Sequence, residues 1–271
     1  METDIRFDRA ALIGRGRTAE VYAWENATVL KLFLAGFPTS LSQQEIQGLR
    51  SANKAGIPSP RFLEAVTLDG RCGIVMERVT GQTMQQLLAA RPYLVTHHAR
   101  LFAELQAQMH SCRAPEILSR KESLGAQIVR AGVTSRIKSI ALARLDVLPD
   151  GDTICHGDLH PDNVLMTARG PVIIDWSFST SGNPASDAAR TALMLRISNS
   201  PGTAFQNNWA DHEARSLFHR VWFHRYRELQ PSAAKSMRDW LLPVATARLA
   251  DGLPDEHDML ASLIERLAAR H

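Results

Sequence analysis

The chain has 271 residues, 45% of them hydrophobic and 22% charged, with a formal net charge of +3. That is ordinary for a soluble globular protein and enough for one large domain or two small lobes. The charge is too mild and too evenly spread for a nucleic-acid partner. Cys72, Cys112 and Cys155 lie far apart without metal-ligand spacing, which points to reduced thiols in a cytoplasmic protein. The charged N-terminus lacks an apolar leader core, and no apolar run approaches the roughly 18 residues of a span, so no membrane partner is expected.

In chain order, residues 5–34 alternate as strands. Within them, Leu12 to Tyr22 carries Gly14 and Gly16, with Ala19 where a third glycine could stand. Such a loop lets backbone N–H groups approach phosphates. A strand follows it, where a dinucleotide-binding loop would be followed by a helix. The next strand, 28–33, holds Lys31, the only lysine among the first fifty residues. Its compact ammonium suits α- and β-phosphates. A helix is expected over 42–54, ended by Gly56. Glu45 in its first turn has two readings: a partner for Lys31, or the last member of a Ser42-Gln43-Gln44-Glu45 capping box. Residues 61–66 and 72–76 form a strand pair, and Glu77-Arg78-Val79-Thr80-Gly81 breaks the pattern.

Helical periodicity begins at Thr83. Leu101, Phe102, Leu105 and Met109 share one face, and His110 closes that helix as a core or capping residue. One further helix is expected over 124–143.

The stretch from Cys155 to Trp176 reads Cys-His-Gly-Asp-Leu-His-Pro-Asp-Asn-Val-Leu-Met-Thr-Ala-Arg-Gly-Pro-Val-Ile-Ile-Asp-Trp. Two short apolar runs flank a Gly-Pro turn, so it forms a loop and a hairpin. Asp158 and Asn163 stand at one end and Asp175 at the other, twelve residues after Asn163. Phosphoryl transfer needs such a set: an Asp for the acceptor's proton, and an Asn and an Asp to hold Mg²⁺ on nucleotide phosphates.

These motifs resemble the aminoglycoside phosphotransferase and choline kinase superfamily. The resemblance implies an α+β, two-lobed, protein-kinase-like fold. Its N-lobe, residues 1–78, would be a five-stranded antiparallel sheet with one helix. Its C-lobe, residues 79–271, would be mainly helical. It implies a kinase that moves the γ-phosphate of ATP or GTP to a small-molecule hydroxyl, an antibiotic among the candidates. Asp158 would be catalytic, Asn163 and Asp175 metal ligands, and Gly14, Gly16, Lys31, Glu45, Glu77 and Val79 nucleotide-binding, the last two at the hinge. His156, His160 and Asp187 would be supporting residues. The chain departs from the family at Ala19 and at Asp162, often Gly in relatives. Two alternatives stay open: a nucleotide-binding pseudokinase, and a metabolite kinase of the choline or homoserine type. A protein kinase is disfavoured by Gly157, where those enzymes have Arg, and by the eleven residues between Asp175 and Asp187, too few for a long activation segment.

Asp187 opens a helix, 188–197, and a capping role is its first reading, with bracing of the catalytic loop implied by resemblance. Phe205, Trp209, Phe218, Trp222, Phe223 and Tyr226 are read as core, with an acceptor wall as the alternative. Two last helices follow over 233–250 and 255–269. From residue 184 onward acids and bases balance, and the acids Asp251 to Asp258 are read as helix-start chemistry, with a cation-binding wall as the alternative. The acceptor is therefore expected to be less cationic than a typical aminoglycoside, or to be met by few carboxylates. The oligomeric state is not legible.

Overall fold

The computed structural model describes residues 12–25, 27–197 and 212–270. The strand expectation over 5–11, together with Phe205 and Trp209, lies outside them.

The N-lobe is one antiparallel sheet. Strands β1 (Leu12–Arg15), β2 (Ala19–Trp24), β3 (Thr28–Phe33), β4 (Phe62–Leu68) and β5 (Arg71–Glu77) run in the order β1-β2-β3-β5-β4. This is the expected five-stranded sheet. The two-residue period of β3 splits its side chains between faces. Leu30 and Leu32 join Tyr22, Leu68 and Val75 in a satellite core on the outer face. Phe33 packs into the main core, while Val29 and Lys31 face the cleft between the lobes.

Helix α1 (Thr39–Lys54) crosses the inner face. It begins three residues before the expected start, and this settles one of the open readings. Ser42 lies inside the helix and its hydroxyl donates to the Thr39 carbonyl, so the Ser42–Glu45 capping box does not form.

After the hinge, the two-residue β6 (Gln82–Thr83) pairs with β8 (Val164–Thr167), which continues into β9 (Gly170–Ile173). Gly81 is required there: a Cβ would stand 2.3 Å from the Met166 carbonyl oxygen. Thr83 then caps α2 (Met84–Ala90) through a reciprocal box with Gln86.

The rest of the C-lobe is helical: α3 (Val95–Met109), α4 (Arg120–Arg130), α5 (Ser135–Val147), α6 (Pro184–Ile197), α7 (His212–Leu229), α8 (Pro231–Leu249) and α9 (Pro254–Ala268). A short antiparallel pair, β7 (Thr153–Cys155) with β10 (Thr180–Gly182), brackets the loop and hairpin between residues 156 and 179. The single helix expected over 124–143 is corrected to two, α4 and α5. The chain leaves α4 at Ala131, and the Thr134 hydroxyl accepts from Ile137 N to cap α5.

Phe218, Trp222 and Tyr226 are fully buried on α7 against α3, so they are core and not an acceptor wall. Helix α6 is buried on nearly every side, as a central helix must be. Its buried Asp187 and Arg190 lie one turn apart and are its link to the chemistry.

Candidate active site

The hairpin β8–β9 brings its two ends together. The Ile174 N–H donates to the Asn163 carbonyl (3.0 Å), which fixes Asn163 beside Asp175. Asn163 gives its amide nitrogen to the Asp158 carbonyl (2.9 Å), and the same nitrogen lies 3.2 Å from His160 Nε2. Its amide oxygen is left as a donor for a cation. Asp175 adopts a left-handed φ of 62°, a conformation that non-glycine residues keep only where the surroundings enforce it. Gly157 is also left-handed, at 80°, and a Cβ there would sit 2.2 Å from the Phe178 carbonyl oxygen.

His156 is fully buried beneath the loop, its ring 4.9 Å from that of Trp176. Its Nε2 donates to the Ile174 carbonyl (3.1 Å) and its Nδ1 accepts from Asp158 N (3.2 Å). Burial holds the imidazole below its usual range, so it is a neutral strut. Asp187 is not a helix cap. It sits inside α6 and accepts from the backbone N–H groups of His156 (3.2 Å) and Gly157 (2.7 Å), with His110 Nε2 at 3.0 Å. His110 Nδ1 in turn lies 2.7 Å from the Tyr226 hydroxyl. One turn on, Thr191 donates to the Leu159 carbonyl (3.2 Å).

Asp158 stands at the end of this braced loop. Burial works to raise its carboxyl. The contact with His160 and the charges of Arg190 and Arg248 hold it well below the usual carboxylate range.

The N-lobe contributes Lys31, whose ammonium donates to Glu45 (2.6 Å) and to Asp175 (3.0 Å). Burial opposes the charge on Lys31, but Asp175 and Glu45 outweigh it and raise its pKa. Asp175 is likewise pressed upward by burial, yet Lys31 and Ser177 keep it below its usual range. Ser177 lies between the acids, its hydroxyl 2.7 Å from Glu45 and 2.6 Å from Asp175. One proton serves only one of them at a time. The Lys31–Glu45 geometry predicts that Lys31→Met and Glu45→Gln are not independent. A double-mutant cycle on kcat/KM should show a coupling of about 0.5–3 kcal/mol, and additive losses would remove Glu45 from the site.

A cleft of about 800 Å³ lies between the lobes. Gly16, Lys31, Glu45, Glu77, Val79, Asp158, Asn163 and Asp175 all line it. Gly14 does not; it pairs with Val21 in the β1–β2 ladder. The Gly16 N–H donates to the Ala19 carbonyl (2.8 Å), so Arg17 and Thr18 form the tip over the cleft and Ala19 closes the turn. Glu77 accepts from Arg169 of the β8–β9 turn and, more weakly, from Arg61 N. His156, His160 and Asp187 lie behind the lining. Sequence reasoning missed Ser177, Arg190, Thr191 and Arg248. Arg190 and Thr191 did carry a signal, polarity on the otherwise apolar α6, while Ser177 stands in an already polar stretch and had none.

Residues 9–229 match a family described as the phosphotransferase enzyme family. The chain belongs to that family. Solved structures share the fold. A thermostable mutant of aminoglycoside phosphotransferase APH(4)-Ia superposes with a TM-score of 0.65 at 16% identity, covering 96% of this chain and 93% of that one. An aminoglycoside-3'-phosphotransferase of type VIII gives 0.64 at 19%, over 89% and 91%. A choline/ethanolamine kinase family protein from Mesorhizobium loti gives 0.55 at 16%, over 95% and 89%. Among curated proteins, acyl-CoA dehydrogenase family member 11 of Pongo abelii is 26% identical over 164 residues, 51% of this chain. The match covers only 21% of that relative's length. Among the described residues, no helix of this phosphotransferase-family chain is long and apolar enough to cross a membrane.

Proposed function

We propose that this chain is a small-molecule kinase that moves the γ-phosphoryl group of ATP or GTP to an acceptor hydroxyl. The observation that carries the reading is the convergence of Asp158, Asn163 and Asp175 at one end of the hairpin, with Lys31 reaching Asp175 from the opposite lobe. The acceptor oxygen bonds to the γ-phosphorus as the bond to the β,γ-bridging oxygen breaks, and the hydroxyl proton passes to Asp158. Lys31 offsets phosphate charge, the Arg17–Thr18 tip covers the phosphates, and the Glu77–Val79 segment meets the base.

The donor set of Asn163 and Asp175 fits Mg²⁺. Both offer oxygen, and a hard octahedral ion takes few protein ligands and completes its shell with phosphate and water. Bound there, Mg²⁺ would neutralise charge on the β- and γ-phosphates. Asp175→Asn keeps the shape and removes the anionic oxygen. Calorimetry should show Mg²⁺-dependent nucleotide affinity falling roughly tenfold or more. Equal affinity in both proteins would remove Asp175 from the metal site.

An intact Asp158, Asn163 and Asp175 set supports turnover over a purely regulatory nucleotide-binding role. ADP or GDP release with a panel of alcohols tests this directly.

A further inference from the structure

Five carboxylates line the cleft among the described residues: Glu45, Glu77, Asp158, Asp175 and Asp251. Each already has a cation within 4.0 Å. Lys31 serves Glu45 and Asp175, and Arg169 serves Glu77. Asp251 takes Arg190 at 2.7 Å and Arg248 at 3.6 Å. The same two guanidiniums each stand 3.9 Å from Asp158. Their side chains are only 2% and 5% exposed, so solvent does little to screen them. Arg248 is itself fixed by two hydrogen bonds to buried Glu256.

Recognition of a polyamine needs carboxylates with charge to spare. Among the described acids that line the cleft, Asp251 is the one that shares Arg190 and Arg248 with Asp158, and the transfer reaction does not use it. An ammonium group approaching it would meet two arginines drawn to the same carboxylate. Phe178 also lines the cleft, and the Arg190 guanidinium lies 5.6 Å from its ring centre. A ring that already faces one cation is a poor partner for a second. It remains a good surface for the C–H face of a sugar.

We infer that the acceptor is uncharged where it meets Asp158: a neutral, sugar-like alcohol rather than a polyamine. Its hydroxyls donate to Asp158 and Asp251, and its apolar face lies on Phe178. The inference rests on the phosphotransferase reading above.

The test uses the full wild-type chain with Mg²⁺ and a non-hydrolysable ATP or GTP analogue, and calorimetry on matched probes. These are kanamycin against its fully N-acetylated derivative, and methyl glucosaminide against methyl glucoside. The neutral member of each pair should bind about tenfold tighter, and its affinity should change little between about 50 and 500 mM salt. Asp251→Asn should weaken the neutral probes without creating affinity for kanamycin. Tighter, salt-sensitive binding of kanamycin overturns the inference, and so does failure of both neutral probes to bind beside a bound nucleotide. Failure of both nucleotides to bind would instead sink the phosphotransferase reading itself.

Discussion

Asp158→Ala is expected to lower kcat by about 10²–10⁴-fold, the usual worth of a positioned acid–base group, with nucleotide affinity nearly unchanged. The separation follows from the geometry. Asn163 bonds mainly to the Asp158 backbone carbonyl (2.9 Å) and only distantly to its carboxylate (3.5 Å), so Asn163 keeps its anchor. Arg190 and Arg248 keep Asp251 as a counter-charge. The wild-type carboxyl is held below its usual range, so it stays ionised through the mildly acidic region and kcat/KM should not decline there on its account. Such a weak base helps most by aiming the hydroxyl and accepting its proton late in the transfer. Single-turnover kinetics decide the matter: near wild-type turnover in the alanine variant would end the assignment.

Asp187→Ala is expected to cost about 3–5 kcal/mol, the range for leaving buried charge partners uncompensated. The carboxylate serves two loop N–H groups and His110 at once, and each would be left without its acceptor. The pH dependence has a definite sign. Burial would lift this carboxyl, but the hydrogen bond with His110 and the charge of Arg120 pull it down, so the folded pKa lies below the unfolded one. Its contribution is therefore fully present above the unfolded value of about 3.9 and fades as pH falls toward the folded value. Urea titrations of wild type and Asp187→Asn should diverge most near neutrality and converge in acid. A gap independent of pH would show that the charge is irrelevant.

The central residues of the candidate site were legible because they are nearly contiguous. Asp158, Asn163 and Asp175 fall within eighteen residues, and the breakers between them dictate a hairpin. The N-lobe sheet was legible because strand alternation and turn residues are local signals. What stayed hidden joins distant segments. Arg248 reaches Asp158 across ninety residues, and Thr191 reaches the loop residue Leu159 from α6. No periodicity encodes such pairs. Glu45 shows a third case, in which one local pattern supported two partners. The choice followed from where α1 starts, and no side-chain cap marks that start. Asp187 was misread as a cap because α6 begins earlier, at Pro184, beneath the loop it braces.

The seam at Gly81 bears on how the lobes communicate. The connector between them is anchored almost at once: Gly81 lies against Met166, and Gln82 and Thr83 are laddered to Met166 and Leu165. The connector between these anchors thus reduces to Arg78, Val79 and Thr80, which also line the cleft, and Arg78 is itself tied to the N-lobe by its N–H to the Ala27 carbonyl (3.0 Å). The strand that holds the connector is the one that leaves Asn163. If the base binds at this connector, as proposed, a twist imposed there has a ladder of a few residues leading to Asn163 that does not pass through the helical core.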